Sequence, residues 1–266
     1  MKFLIAGCGN MGGAIMQAAL GKKLIQPQEL VILEKHPNAF THAFADLGAM
    51  VVESAANLEG PFEILLLAVK PQDAAALFEQ VRPAFYPQGL IISIMAGVTL
   101  HRLQDAFPQA AIIRAMPNTP ASIGEGMTAF VPNTTCTEVE TELALSLFGA
   151  CGRALQLEQE SLIDAVTAVS GSGPAYLFYL AEAMEDAAVE MGFDHHQARL
   201  LVGQTLKGAS LLLGSGGADP AVLRSQVTSK GGTTFAATTS FDDSGLKARI
   251  KKGMQAAQAR SQELGG

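Results

Sequence analysis

Apolar residues in the first half of the chain come in short runs with little polar interruption. Lys2-Phe3-Leu4-Ile5-Ala6, Leu30-Val31-Ile32-Leu33, Met50-Val51-Val52, Ile64-Leu65-Leu66-Leu67-Ala68, Leu90-Ile91-Ile92-Ser93 and Ala111-Ile112-Ile113-Arg114 are such runs. A strand buried on both faces has no polar side to alternate with, so these runs predict parallel strands. Helical patterns separate several of them, at Ala14 to Leu20, Gln72 to Val81 and Leu100 to Ala106. Alternation of strand and helix predicts an α/β fold with a doubly wound parallel sheet. Met127 to Val131, a helix over 138–148 and Ala154 to Leu157 complete it. A doubly wound, Rossmann-type sheet domain is therefore expected over 1–158.

From Ser161 onward the apolar period becomes helical. Pro174 is placed to open a helix, in which Leu177, Leu180, Ala181, Met184, Ala188 and Met191 share one side. Glu182, Glu185, Asp186 and Glu190 take the other side, and Gly192 is a stop. Further helices are expected from Gln197 to Leu213, Pro220 to Val227, Phe235 to Phe241 and Gly245 to Glu263. Small residues at Gly203, Gly208 and Ala209 allow close helix approach. The span 159–266 is thus expected as an all-α C-terminal domain for substrate binding and dimerisation, although the same stripes also fit the core of a monomer.

Directly after the first strand comes Gly7-Cys8-Gly9-Asn10-Met11-Gly12, a G-x-G-x-x-G between strand and helix. The glycines serve a tight turn, close approach of a pyrophosphate and helix–strand packing. Glu34 ends the second strand where a carboxylate binds the ribose diol of NAD(H), and Lys35 and His36 beside it suit the 2′-phosphate of NADP(H). The cofactor is expected to be NADP(H) or NAD(H), and this pair of signals leaves the preference open. Other strands end in Val69-Lys70-Pro71-Gln72, Ile94-Met95-Ala96-Gly97 and Met116-Pro117-Asn118-Thr119-Pro120. In open α/β sheets ligands bind outside such carboxyl ends.

A second candidate site lies in Thr228-Ser229-Lys230-Gly231-Gly232-Thr233-Thr234, a Gly-rich turn between two helical segments. Unpaired amides at a helix start favour an anion, here a carboxylate, with hydroxyls from Ser229, Thr233 and Thr234. Alone, the heptapeptide also reads as an ordinary helix connection with Thr as N-cap.

Composition narrows the field. With 266 residues, 48% hydrophobic and 16% charged, the chain has material for a large core and little tendency to disorder. A net charge of -7 argues against nucleic-acid binding, and the basic run at Lys247, Arg249, Lys251 and Lys252 reads as a solvated helix face. Cys8, Cys136 and Cys151 have no metal-ligand spacing, and His195-His196 lacks a third ligand nearby, so no metal is expected. No apolar run is long enough to span a bilayer. Ile5-Ala6-Gly7-Cys8 imitates a lipoprotein cleavage box, but only seven residues precede Cys8. A secretory signal needs more, and a cytoplasmic location is expected.

Four blocks together carry a resemblance: Gly7 to Gly12, Ala68-Val69-Lys70-Pro71-Gln72, Val169 to Tyr176 with its Ser-Gly-Ser-Gly-Pro core, and Leu223 to Thr234. With Met116 to Pro120 between them, the chain closely resembles the pyrroline-5-carboxylate reductases over essentially its whole length. The last block is the most specific of the four.

The resemblance implies reduction of the C=N bond of 1-pyrroline-5-carboxylate by NAD(P)H to give L-proline, the final step of proline synthesis, with NADPH favoured. It implies an intertwined homodimer with its active site between subunits, and in many members a decamer of five dimers. The implied substrate contacts are Ser229, Gly231, Gly232 and Thr233 for the carboxylate, Thr234 beside the ring nitrogen as the catalytic residue, and Glu160. The implied cofactor contacts are Gly7, Gly9, Asn10, Met11, Gly12, Glu34, Lys35, Asn57, Ala68, Val69, Lys70, Pro71, Ala96 and Gly97. The spacing from Asn57 to Lys70 is shorter than the family's. The chain also has Lys230 where the family usually has Pro, and Glu34-Lys35 where many NADPH-preferring members carry Asn-Arg. Two other classes share parts of this pattern. A β-hydroxyacid dehydrogenase would want a general-base Lys in the helical half, where Lys207 is a poor candidate, and a dinucleotide-binding redox sensor would need a partner-binding module.

Overall fold

A computed structural model of the chain describes residues 2–265; residues 1 and 266, the outer ends of the two expected domain spans, lie outside them. The strands are β1 (Phe3–Ala6), β2 (Leu30–Leu33), β3 (Met50–Val52), β4 (Phe62–Leu67), β5 (Phe85–Ser93), β6 (Ala111–Met116), β7 (Gly126–Pro132) and β8 (Gly152–Gln156). They form one sheet in the order β3-β2-β1-β4-β5-β6-β7-β8. Alternate residues of each run go to opposite faces. Ile5, Ile32, Leu66, Ile92 and Ile113 pack with Ile15, Met16, Phe44 and Phe148 on one side. Leu4, Leu65, Leu67, Ile91 and Ile112 pack with Leu77, Phe78, Leu103 and Phe107 on the other. Both faces being covered is the physical reason the strands read as unbroken apolar runs.

The helices covering those faces are α1 (Asn10–Gly21), α2 (Ala39–Asp46), α3 (Ala74–Val81), α4 (Leu100–Ala106) and α5 (Glu138–Gly149). Helix α2 was not expected from periodicity, since it buries only Thr41 and Phe44. Its start is built by side chains instead. Asn38 Oδ1 accepts the amides of Phe40 and Thr41 at 2.9 and 3.3 Å, and Thr41 Oγ1 accepts the Asn38 amide at 2.8 Å.

The sheet departs from the expected all-parallel arrangement at β7, which runs antiparallel to β6 with Arg114 opposite Val131. Only residues 117–125 join the two strands, including a 3₁₀ segment at Thr119–Ile123. A parallel return needs a crossover of a dozen or more residues, so the short, Pro-containing link turns the chain back. All other adjacent strands are parallel.

The remaining elements are α6 (Leu162–Val166), a π-helical turn (Thr167–Gly171), α7 (Gly173–Glu190), α8 (His195–Ser215), α9 (Pro220–Gln226), α10 (Thr233–Asp243) and α11 (Leu246–Gly265). By compactness the chain separates into Met1–Pro174 with Ala257–Gly266, and Ala175–Ala256. Residues 159–174 and the last turns of α11 thus pack with the sheet. In the second unit, considered by itself, Ala198 and Val202 are the buried apolar residues, while Phe178, Tyr179, Leu200, Leu211 and Leu212 lie exposed. Apolar surface on this scale marks an interface with another chain.

Asn133, just after β7, is buried and ties the β6–β7 edge together. Its Oδ1 accepts the amides of Ile112, Thr135 and Cys136, and its Nδ2 donates to Ala110 O. Asn133→Ala strands these buried groups at a cost of about 2–4 kcal/mol. A thermal melt should show a midpoint about 5–10 °C lower.

Candidate functional site

The sheet reverses its winding between β1 and β4, and the two strand ends meet there. Ala68 donates its amide to Ala6 O at 2.8 Å. Gly7 follows with φ +91, and a Cβ on it would lie 2.8 Å from the carbonyl of Ala68. A Cβ on Gly12 would lie 2.5 Å from Gly7 O. These two glycines are therefore required by packing. Gly9 differs: it is exposed, has φ −76, and a Cβ there would meet nothing within 4 Å. Gly9 caps α1 without a side-chain bond, and among the described residues the amides of Asn10, Met11 and Gly12 have no hydrogen-bond partner. Open space above three unclaimed amides at a helix N-terminus fits the pyrophosphate of a dinucleotide.

The loop after β2 holds this turn in place. Glu34 Oε2 accepts the Cys8 amide at 2.7 Å, Glu34 Oε1 accepts the His36 amide at 3.0 Å, and Asn38 Nδ2 donates to Cys8 O at 2.9 Å. Each Glu34 oxygen keeps a lone pair for a further donor, and Lys35 beside it is exposed. The buried Cys8 thiol is pushed up to about 12, first by burial and then by the Glu34 charge. It stays protonated at neutral pH and offers no nucleophile.

The other expected cofactor residues lie at the same carboxyl edge or on the loops leaving it. Ala68, Val69 and Pro71 are half-buried and Lys70 is exposed, while Asn57 is exposed on the 3₁₀ turn after β3. Ala96 is half-buried, whereas Gly97 is buried with φ +72, and a Cβ on it would lie 2.7 Å from Leu264 O in the last turn of α11.

Glu160 Oε1 accepts two bonds, from Arg114 at 2.6 Å and from the Leu100 amide at 2.7 Å. Sequence reading passed over Arg114, although a charged residue ending a buried apolar run was a signal. Asn118 was also missed as a side chain with a job. Its Nδ2 donates to Ser170 O in the π turn at 3.0 Å, and its Oδ1 accepts the Met127 amide at 2.8 Å. The π turn itself closes through the Ser172 amide donating to Thr167 O at 2.8 Å.

The Gly-rich turn before α10 belongs to the second unit. Gly231 has φ +74, and Gly232 donates its amide to Ser229 O at 3.0 Å. The N-cap is Gly232, not Thr, and it supplies no side-chain bond. Among the described residues the amides of Thr233, Thr234 and Phe235 have no partner. Ser229, Gly231 and Thr233 are exposed and Thr234 is half-buried. This is a second anion cradle, lined with hydroxyls. Among the described residues no cluster of His, Cys, Asp or Glu could hold a metal ion, and no helix is long and apolar enough to cross a membrane.

Two family models match the chain. Residues 160–264 match the family described as pyrroline-5-carboxylate reductase dimerisation. Residues 2–97 match the family described as NADP oxidoreductase, coenzyme F420-dependent. A pyrroline-5-carboxylate reductase of Haemophilus influenzae is 40% identical over 97% of this chain and 95% of its own. The solved pyrroline-5-carboxylate reductase of Coxiella burnetii superposes with a TM-score of 0.90 at 29% identity, covering 100% of this chain and 98% of that one. The Plasmodium falciparum pyrroline carboxylate reductase, solved with NADP bound, gives 0.88 at 26% identity, covering 100% and 98%.

Gly7 and Gly9 separate experimentally. Gly9→Val should leave the thermal midpoint within about 2 °C of the wild type and weaken nucleotide binding by about tenfold or more, since its side chain fills only the open cradle. Gly7→Ala should lower the midpoint, because its Cβ meets backbone at a strained φ. Nucleotide titration and a melt of each variant read both quantities.

Proposed function

The chain belongs to the pyrroline-5-carboxylate reductase family, and from that premise we propose which of its residues carry the reduction of 1-pyrroline-5-carboxylate to L-proline. The protein is an NAD(P)-dependent oxidoreductase of proline biosynthesis and carries the family's dimerisation region. The observation that supports the residue assignment best is the pair of cradles, one at the start of α1 and one at the start of α10, each with first-turn amides left unclaimed.

When bound, the reduced dinucleotide supplies the hydride. The α1 cradle, Gly7 to Gly12, holds its pyrophosphate. Ala68, Val69, Lys70 and Pro71, with Ala96, Gly97 and Asn57, position the rest, and Lys70 orients the cofactor more than it does acid–base work. Glu34 faces the adenosine ribose, and the exposed Lys35 beside it accommodates a 2′-phosphate. Both NADPH and NADH fit, with NADPH slightly favoured.

The α10 cradle takes the substrate carboxylate through Ser229, Gly231, Gly232 and Thr233. Thr234 is the catalytic residue: its hydroxyl hydrogen-bonds the ring nitrogen and supplies or relays the proton that nitrogen gains. Glu160 lies near the substrate. The imine nitrogen protonates easily, so the carbon is already electrophilic and the site has mainly to align it. Residues 1–158 form the dinucleotide-binding domain and 159–266 the substrate and dimerisation domain. The protein works in the cytoplasm as a homodimer with sites between subunits, and a decamer of five dimers is a further assembly.

Purified protein with pyrroline-5-carboxylate and either reduced cofactor should consume nicotinamide absorbance and yield proline, faster with NADPH. Turnover with neither cofactor would sink the assignment. Thr234→Ala should lower kcat by about 100-fold while leaving the Kd for NADPH nearly unchanged. Unchanged kcat would remove Thr234 from the mechanism.

A further inference from the structure

The β5–α4 loop, residues 94–99, carries Ala96 and Gly97, and it is held from outside by segments distant in sequence. At its far end the Leu100 amide, the first of α4, donates to Glu160 Oε1 at 2.7 Å. The same oxygen accepts Arg114 Nη1 at 2.6 Å. The Arg114 side chain is 5% exposed and that of Glu160 30%. Arg114 stands beside Ser93, the residue that ends β5 and leads into this loop. On the loop's other side, Leu264 covers Gly97. Ser261, also buried, donates to Asp164 Oδ1 at 2.7 Å and so ties the last turns of α11 to the segment that bears Glu160.

A surface carboxylate would be free to swing. This one is oriented by a buried guanidinium whose Nε has no hydrogen-bond partner among the described residues, an arrangement that costs desolvation and is weak support for stability alone. We propose that Arg114 and Glu160 are a positioning pair for cofactor binding: Arg114 fixes Glu160 Oε1, and Oε1 fixes the Leu100 amide and with it the Ala96–Gly97 loop. Glu160 Oε2 makes no hydrogen bond among the described residues. The pair acts through the loop and touches no reacting atom. The inference rests on the reading of Ala96 and Gly97 as cofactor contacts.

The test is direct NADPH binding, by nucleotide fluorescence without substrate, on the full chain. Wild-type binding and turnover report on that underlying reading, and the variants report on the pair. Glu160→Ala removes the acceptor and should raise the Kd for NADPH about tenfold. Glu160→Gln keeps an oxygen for both donors and should restore binding to within about threefold of wild type. Because Glu160→Ala strands a buried charge, the double variant Arg114→Met/Glu160→Ala provides a folded control, and its Kd should stay raised by the same factor. Wild-type Kd in both Ala-bearing variants would overturn the proposal, whether or not the melting midpoint falls. So would a rise confined to the KM for pyrroline-5-carboxylate.

Discussion

Gly7 and the carbonyl of Ala68 approach so closely that no side-chain atom fits between them. This follows from the sheet: β2 lies on one side of β1 and β4 on the other, so the connections leaving β1 and β4 go to opposite faces and a crevice opens above the two strand ends. The chain must turn sharply there without filling the crevice. Gly7 makes the turn at positive φ, Gly12 lets α1 sit down on it, and Gly9 leaves the space above empty. Glu34 accepts the N–H of Cys8 and Asn38 donates to its C=O, so the turn is rigid before any ligand arrives. Pre-set amides lose little freedom on binding, which favours affinity.

The helical unit solves a different problem. Its helices bury little against one another: exposed Phe178, Leu200, Leu211 and Leu212 would be unfavourable in water on an isolated chain. A second chain covering them removes that cost, in keeping with the dimerisation family that spans 160–264. Folding of this unit and assembly are therefore linked by mass action. The Gly-rich turn at 228–234 sits between two helices of that unit, α9 and α10.

Several features were legible because they depend on local chemistry. The strands β1, β2, β4, β5 and β6 follow from runs with no polar face. The glycine turn follows from its place between a strand and a helix, and α7 and α8 follow from helical spacing ended by Gly192 and by Gly214 to Asp219. The resemblance adds Ser229 to Thr234, of which Thr233 and Thr234 have amides without a partner among the described residues at the start of α10. Features that were missed depend on partners far along the chain. Helix α2 is set by the Asn38–Thr41 cap and not by an apolar stripe. The reversal at β7 depends on how much chain a crossover consumes. Arg114 reads as a strand end until Glu160, 46 positions later, is placed against it.

The amino-acid sequence by itself thus determined the alternation of elements, the two glycine-rich turns and the residue types at each. Hydrophobic period and backbone freedom are properties of neighbouring residues and need no three-dimensional partner. Only the tertiary structure decided which glycine is packing and which is open, that Gly97 is buried under α11, and that one oxygen of Glu160 serves both Arg114 and the Leu100 amide. Those are distances between residues that sequence keeps far apart, and a hydrogen bond exists only where folding brings donor and acceptor within about 3 Å.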